Sequence, residues 1–216
     1  MTGTSSWKVV DTRPGEHLVE HSIRSLFDGD GTIYLITGFF TENAYRSLRD
    51  DIIDFLKRRA DNTLVVVANP TADQFSKSVA TDLRSLDAPG SVRLLQYPRS
   101  FLHAKLYLRD GPDPMVILGS ANLTRGAFAY NLEVGLVIEG DGPDDPEVRP
   151  FLDWTEELVA ESTPISRRDL FFPVRVVNSV INWFNKGRLI PARFAATKAA
   201  PLMLAIVGLF ALVKLV

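Results

Sequence analysis

One stretch in the middle of the chain, residues 102–122, constrains the fold most strongly; it reads LHAKLYLRDGPDPMVILGSAN. In its first part, small or aliphatic residues alternate with polar or aromatic ones, and strand side chains point alternately to two faces. A strand here therefore places His103 and Lys105 side by side, with the aliphatic face in the core. The Gly-Pro-Asp-Pro sequence that follows is typical of a turn, and the apolar run at 115–118 reads as a returning strand. This hairpin would bring the Gly-Ser-x-Asn sequence at 119–122 within reach of His103 and Lys105.

The spacing of the polar residues resembles the signature of the phospholipase D superfamily, H-x-K-x4-D followed by G-S-x-N. Every position is matched, by His103, Lys105, Asp110, Gly119, Ser120 and Asn122. Asn131-Leu-Glu133 further on resembles the N-x-E that often follows in the family. The resemblance covers about residues 32–139 and implies an α/β fold, a phospholipase D-like layered α/β/α sandwich with a mixed sheet. The alternative interpretation is an amphipathic strand that merely exposes His and Lys, but spacing, turn and G-S-x-N would then have to coincide.

The residue types of this motif suit cleavage of a phosphodiester. Such a reaction needs a nucleophile, a proton donor for the leaving oxygen and positive charge around the phosphoryl oxygens. Histidine in general titrates near neutral pH and serves in the first two roles, so His103 is the candidate nucleophile. Lys105 supplies a charge and Asn122 an amide donor to the non-bridging oxygens, and Ser120 adds a hydroxyl.

The resemblance also implies a reaction without a metal ion or other cofactor. In the family a phosphohistidine forms, a second histidine acts as acid, and water releases the product; Glu133 would hold the tautomer of His103, and Asp110 would orient the motif. The chain has no Cys and no carboxylate-rich motif of metal-nuclease type near His103, which agrees with this expectation. His17 and His21 lie four residues apart and could share a metal ion, but surface or interface histidines are the favoured interpretation.

The chain carries one copy of a motif that the family site uses twice. His17 and His21 are the only other histidines, and neither has Lys two positions later. The resemblance therefore implies a homodimer in which His103 of one chain attacks and His103 of the other donates the proton. A two-fold interface brings the same patch of both subunits together, which makes this arrangement natural. A heteromeric partner that supplies the second half is the alternative.

Predicted strands and helices alternate along the chain, which is typical of a layered α/β domain. Apolar, β-rich runs predict core strands at 32–37, 64–68, 92–96 and 132–139. Amphipathic periodicity predicts helices at 12–28, 41–60, 72–86 and 147–161, the first with Thr12 as its N-cap.

Four further residues are candidates for contact with the substrate. Phe39 and Phe40 follow the strand at 32–37, at the end where α/β sheets place ligand loops, although core packing is an equal alternative. Arg99 lies four residues before His103 and would contact a phosphate, unless it is an exposed loop residue, which is the favoured interpretation. Gly119, in the G-S-x-N turn, completes the set.

The composition changes after Pro164, so we predict a catalytic domain at 1–163, a basic amphipathic linker at 164–198 and a hydrophobic helix at 199–216. The last 18 residues contain Lys214 as their only charge, which is close to the shortest run that spans a membrane. Together with the basic residues before it, this run predicts a C-terminal membrane anchor with the catalytic domain in the cytoplasm. The alternative is a soluble cytoplasmic protein whose last helix is buried in a dimer or a partner.

Three functions remain open at this point. A nuclease is favoured, because SANLTRGAF and NLEVG resemble the nuclease-type domains near helicases and restriction enzymes. A phospholipase is the second, because the predicted anchor would hold the site at a bilayer; the third is a membrane scaffold that binds phosphodiesters without turnover. Eight of the 24 Lys and Arg but one of the 26 acidic residues lie in 167–216. The remaining chain is therefore acidic, which argues against broad non-specific binding to duplexes.

Overall fold

The structure is a computed structural model that describes residues 6–13, 18–71 and 74–170. An eight-stranded mixed sheet lies at its centre in the order β1-β7-β6-β5-β2-β3-β4-β8. Its strands are β1 Ser6–Asp11, β2 Thr32–Thr37, β3 Thr63–Ala68, β4 Ser91–Gln96, β5 Lys105–Asp110, β6 Met115–Gly119, β7 Val134–Glu139 and β8 Thr163–Pro164. The helices are α1 Leu18–Ser25, continued by a 3-10 turn at Leu26–Asp28, α2 Glu42–Arg58, α3 Lys77–Ser85, α4 Arg125–Ala129 and α5 Arg149–Glu161.

The register of the central strands brings distant parts of the motif to one edge of the sheet. β2, β3 and β4 are parallel, and β5 runs antiparallel to both β2 and β6. The last residue of β2, Thr37, therefore lies opposite the first residue of β5, Lys105. On the other side of β5, Leu106 pairs with Leu118, one residue before Gly119. The carboxyl ends of the parallel strands and the G-S-x-N turn share this edge, where open α/β sheets bind ligands.

Helices cover the two faces of the sheet unequally. Buried residues of α1, α2, α3 and α4 pack against one face in the larger core cluster. On the other face, α5 is the only helix of the described residues, and Leu152 and Leu158 pack against the central strands. Beyond its reach, Trp7 and Val9 of β1 and Val134 of β7 are 67%, 63% and 55% exposed. Part of this face is thus an apolar surface open to solvent.

The layered fold with a mixed sheet confirms the predicted fold class, including the four predicted core strands. Two strands were not predicted: β1 and β8 are the edge strands, and β8 is only two residues long. Thr12 is predicted as a helix N-cap; the described part of α1 begins at Leu18, and residues 14–17 lie outside the described residues. Thr12 donates to the Asn131 carbonyl at 2.5 Å and accepts from the Glu133 amide at 2.7 Å.

The motif strand also differs from the prediction. β5 begins at Lys105, so His103 precedes the strand. The face expected to be polar is buried: Tyr107 packs in the larger core cluster, and Arg109 donates to the Ser25 and Leu26 carbonyls at 2.9 Å. Alternation alone predicted one buried face, but β5 is central in the sheet and has packed layers on both sides.

The folded region extends past the predicted domain boundary at residue 163. β8 pairs with β4, and Ile165 and Leu170 are buried in the larger core cluster. The remainder of the linker predicted for 164–198 and the helix predicted for 199–216 lie outside the described residues. Within the described part of the chain, no helix has both the length and the apolar character needed to cross a bilayer.

Candidate active site

The candidate site lies at the sheet edge where β2 ends and β5 begins. His103 is exposed on the segment that leads into β5, and Lys105 is the first residue of that strand. Lys105 Nζ lies 3.2 Å from both ring nitrogens of His103 and donates to the His103 carbonyl oxygen at 2.7 Å. A neutral imidazole has one nitrogen that accepts and one that donates, so the ammonium can donate to only one of the two ring nitrogens. The Lys105 ammonium thus lies directly beside the exposed imidazole.

Asn69, which follows β3, holds the backbone just before His103. Its side-chain amide donates to the Leu102 carbonyl at 2.9 Å, and its carbonyl oxygen accepts from the Leu102 amide at 3.3 Å. Both partners are buried. Gly38 approaches the same segment so closely that a Cβ on it would lie 3.1 Å from the Leu102 carbonyl oxygen. The position of His103 thus depends on two residues that the motif does not contain.

Two other residues outside the motif, Tyr107 and Thr37, form hydrogen bonds with the G-S-x-N turn. Tyr107 donates its hydroxyl to the Ala121 carbonyl at 2.7 Å, and Thr37 donates to the Asn122 side-chain oxygen at 3.3 Å. Burial raises the pKa of the Tyr107 phenol above its ordinary value, so it stays a donor across the physiological range. The single Thr37 hydroxyl hydrogen is shared between the Asn122 oxygen and the Phe39 carbonyl oxygen, which lies closer at 3.0 Å. The Asn122 side chain also carries an NH₂ group that can donate to a ligand.

Ser120 and Glu133 form a second polar cluster at this edge. The Ser120 hydroxyl donates to one Glu133 carboxylate oxygen, and the Asn131 amide donates to the other at 3.1 Å. Thr12 ties the Glu133 backbone to the end of β1. Within the described residues the Glu133 carboxylate therefore orients Ser120, whereas contact with the ring of His103, implied by the family resemblance, is not among its hydrogen bonds.

Asp110 lies at the opposite end of β5 from Lys105, five residues away, or about 17 Å at the rise of an extended strand. Burial is the main cause that raises the pKa of its carboxyl, and Glu156 of α5 adds to this effect while Arg149 opposes it. The structure thus separates this motif residue from the other five. The charged groups that affect its pKa, Glu156 and Arg149, belong to α5, so Asp110 lies where α5 packs on the sheet.

The structure divides the candidate substrate-binding residues. Phe40 is fully buried between Tyr45 and Phe75, so its assignment as a substrate contact is wrong and the core alternative describes it. Phe39 is partly exposed at the end of β2. Arg99 is on the surface and donates to Glu161 of α5 at 2.8 Å. Gly119 is exposed, and a Cβ there would meet the Val134 carbonyl oxygen at 2.3 Å.

A cavity of about 310 Å³ opens beside His103, between residues 97–104 and α5. A larger one, about 590 Å³, lies between α2 and α3 and includes no motif residue. Of these two cavities, the smaller one contains a residue of the motif, His103, and the larger one contains none. Among the described residues, no three His, Asp or Glu side chains are grouped so that they could hold a metal ion.

Comparisons with known proteins identify the family and the fold. A sequence profile described as "Cardiolipin synthase, PLD-like domain" matches residues 25–157, more than half of the chain. No curated protein matches this chain.

Several solved structures are similar to this one. NucT from Helicobacter pylori is 17% identical with a TM-score of 0.58, over 75% of this chain and 100% of that one. Nuc from Salmonella typhimurium, a phospholipase D family member, is 17% identical with a TM-score of 0.57, over 75% of this chain and 99% of that one. Phosphatidylserine synthase from Haemophilus influenzae is 14% identical with a TM-score of 0.59, over 92% of this chain but 46% of that one. At such low identity these similarities establish the fold alone.

Proposed function

The chain belongs to the family of phospholipase D-like domains, whose fold is that of phosphodiesterases, and on this premise we propose that it is a metal-independent nuclease whose site is completed by a second copy of the chain. The observation that carries the proposal is the contact of Lys105 Nζ with the exposed ring of His103, close to Asn122, because Gly38 approaches both His103 and Asn122. This is the set of groups that an in-line attack on a phosphodiester requires.

The reaction proceeds in two balanced steps. An unprotonated ring nitrogen of His103 attacks phosphorus, a P–N bond forms, and the P–O bond to the leaving group breaks. The leaving oxygen takes a proton from the imidazolium of His103 in the second copy. That imidazole then removes a proton from water, which attacks phosphorus and breaks the P–N bond. Lys105 and Asn122 stabilise the charge on the non-bridging oxygens in both steps.

The apolar surface beside the site supports the second copy. Cross-strand pairs place Trp7, Val9 and Val134 on one face of β1 and β7, together with the partly buried Leu136 and Leu118. We call these five residues the apolar sheet face. It adjoins the site, because the Ser120 amide donates to the Val134 carbonyl at 3.0 Å. A two-fold contact through this face would bury exposed apolar area and bring two copies of the site together.

Two features favour nucleic acid as the substrate. The similar structures of NucT and Nuc, whose names suggest nucleases, are matched over almost their whole length. The sequence around the G-S-x-N turn resembles nuclease-type domains. A phospholipid is the second candidate, favoured by the description of the matching family profile and by the anchor predicted for 199–216.

The full-length protein in excess EDTA tests the reaction and the substrate together. Intact chain and His103→Ala would be incubated with single-stranded DNA, duplex DNA, RNA and anionic phospholipid vesicles. We expect cleavage of nucleic acid that survives EDTA and is lost in His103→Ala. His21→Ala, which removes an exposed histidine from α1, is the matched control and should leave activity unchanged. Turnover of lipid alone would support the second candidate, and absence of all turnover by the intact chain would contradict both.

Mixed dimers test whether two copies share one site. Intact and His103→Ala chains that carry different affinity tags would be combined, and the heterodimer purified through both tags. If each reaction needs both histidines, the activity per intact chain falls far below that of the intact homodimer. Full activity per intact chain would contradict the shared site and leave the nuclease proposal standing.

A further inference from the structure

The cavity beside His103 has walls of two chemical kinds. Residues 97–104 form one side, and the second half of α5 forms the other. Three aromatic side chains, Tyr97, Phe101 and Trp154, contribute to it, and its acidic members are Glu157 and Glu161. Among the described residues that line it, none is Lys or Arg. The described lining of this cavity is therefore aromatic and acidic, and it does not suit a phosphate, whereas Lys105 lies directly beside the His103 ring.

Trp154 is the aromatic side chain most open to a ligand. It is 44% exposed, although it sits on a helix whose other large apolar residues pack on the sheet. Phe101 lies on the other side, with its ring centroid 6.0 Å from that of His103. Exposed aromatic faces in a cleft bind flat or cationic groups, and single-strand binding proteins stack successive bases on such faces.

The two carboxylates are not equivalent. Glu161 accepts from Arg99 at 2.8 Å and from the Tyr97 hydroxyl at 3.1 Å, so its charge and its acceptor capacity are largely used. Glu157 is exposed and has no hydrogen-bond or ion-pair partner in the part of the chain that the structure describes. A free carboxylate accepts from N–H donors and repels carbonyl oxygens and phosphates.

These features select an amino-bearing base over other groups. Guanine offers adjacent N–H donors to a carboxylate, cytosine and adenine offer an amino group, whereas thymine and uracil present one N–H between two carbonyl oxygens. A cationic head group also suits aromatic walls and a carboxylate. The proposed nuclease function places a base, and not a head group, next to His103.

We propose that this cavity is a base-recognition site, which holds the base next to the scissile phosphodiester, stacked on Trp154 with its amino edge toward Glu157. Guanine is the preferred base. The proposal rests on the nuclease function proposed above and adds a sequence preference to it. The preference follows from side chains outside the family motif.

Single-stranded oligothymidylates that carry one guanine, cytosine or abasic position test this proposal with the full-length protein. We expect cleavage beside guanine to exceed cleavage within thymidine by about tenfold or more, the discrimination of one good carboxylate–base contact. Glu157→Gln should reduce that ratio to about twofold or less while thymidine tracts are still cleaved. Trp154→Ala should raise KM on base-containing positions and leave the abasic position unaffected. Glu156→Gln, the adjacent residue on α5 and not part of the cavity, is the matched control and should keep the preference.

The outcomes separate the two proposals. Cleavage without a base preference, or a preference that persists in Glu157→Gln, overturns base recognition and leaves the nuclease standing. If no oligonucleotide is cleaved, both fail. In that case turnover of phosphatidylcholine over phosphatidylglycerol vesicles, lost in Glu157→Gln, would assign the cavity to a cationic head group instead of a base.

Discussion

Single buried hydroxyl and amide groups hold the reactive side chains where they are. Tyr107, Thr37 and Asn69 each bond to the backbone or side chain of a motif segment, and all three are buried. None of them belongs to the family signature. They could not be recognised from the sequence, because a Tyr, a Thr and an Asn at strand positions or strand ends have no distinctive spacing. Their roles depend on cross-strand neighbours.

Tyr107→Phe tests this support. It removes one buried donor and leaves the Ala121 carbonyl without its partner, which should cost about 1–2 kcal/mol of unfolding free energy. Because the G-S-x-N turn loses an anchor, kcat should fall several-fold with little change in KM. Denaturant unfolding and steady-state kinetics measure the two effects. Tyr34→Phe, on the same sheet but away from the turn, is the control. Unaltered kcat in a destabilised variant would show that the hydroxyl serves the fold alone.

Asp110→Asn separates the structural from the catalytic part of the motif. The pKa of Asp110 is raised in the folded state, chiefly by burial, so its ionisation opposes folding. Stability of the intact chain should therefore fall as pH rises from about 4 through the raised pKa, and this loss should be absent in Asp110→Asn. We expect a higher Tm for the variant at pH 7, a difference that shrinks toward pH 4, and retained cleavage.

The exposed Asp87→Asn is the control for the charge change alone. Complete loss of cleavage in a folded Asp110→Asn protein would contradict the view that Asp110 acts far from the reacting atoms.

At the scale of elements, the start of β2 and the end of β5 meet at two glycines. Gly31 has a φ of +119°, and a Cβ on it would lie 2.1 Å from the Asp110 carbonyl oxygen. Gly111 makes the reciprocal approach to the Asp30 carbonyl oxygen. The sequence predicted both strands and the turn after β5, since these depend on local periodicity and on Gly and Pro. It could not show that the two strand ends touch, because residues 31 and 111 are far apart in the chain.

Gly31→Ala should destabilise the protein by at least about 2 kcal/mol, since it combines backbone strain with a backbone clash. Gly142→Ala is the matched control, because Gly142 has a φ of +108° and a Cβ added there would have no other atom within 4 Å. The control should show the cost of strain alone. Thermal unfolding measures the loss of stability in each of the two variants. Equal losses in the two variants would show that the contact with Asp110 contributes nothing.

At the scale of the whole molecule, helices cover the two faces of the central sheet to different extents. Within the described ranges, four helices pack on one face of the sheet, while α5 covers part of the other face and leaves the apolar sheet face exposed. The sequence indicated a sandwich because strands and helices alternate. It did not indicate this asymmetry, since the strand that completes the apolar sheet face, β1, is a short edge strand without a distinctive pattern. The sequence also did not show that the folded region continues past residue 163, because Ile165 and Leu170 become core residues only through packing with β4 and its neighbours.

Val9→Asp tests whether the apolar sheet face pairs two copies. Val9 is exposed at the centre of β1, so the substitution should leave the monomer folded while a like-charge pair at the two-fold contact opposes association. We expect the dimer dissociation constant to rise at least tenfold and activity at low protein concentration to fall with it. Sedimentation analysis and a dilution series of the assay measure these quantities.

Val9→Thr preserves the branched shape and the strand propensity, and it should stay close to the intact chain. A fully dimeric and active Val9→Asp protein would exclude this face as the contact.

The pairing of β1 with β7 has a consequence for the order in which the protein is made. The first strand of the described chain, β1, cannot pair until β7, which follows it by more than 120 residues, has been synthesised. In the same way, Thr12 cannot bond to the Glu133 segment before that segment is made. On the ribosome, the motif of β5 and β6 emerges before the strand that orients Ser120. Until then the edge of β6 and the apolar side of β1 are available to other chains, so assembly of the site and protection from aggregation are completed by the same late event.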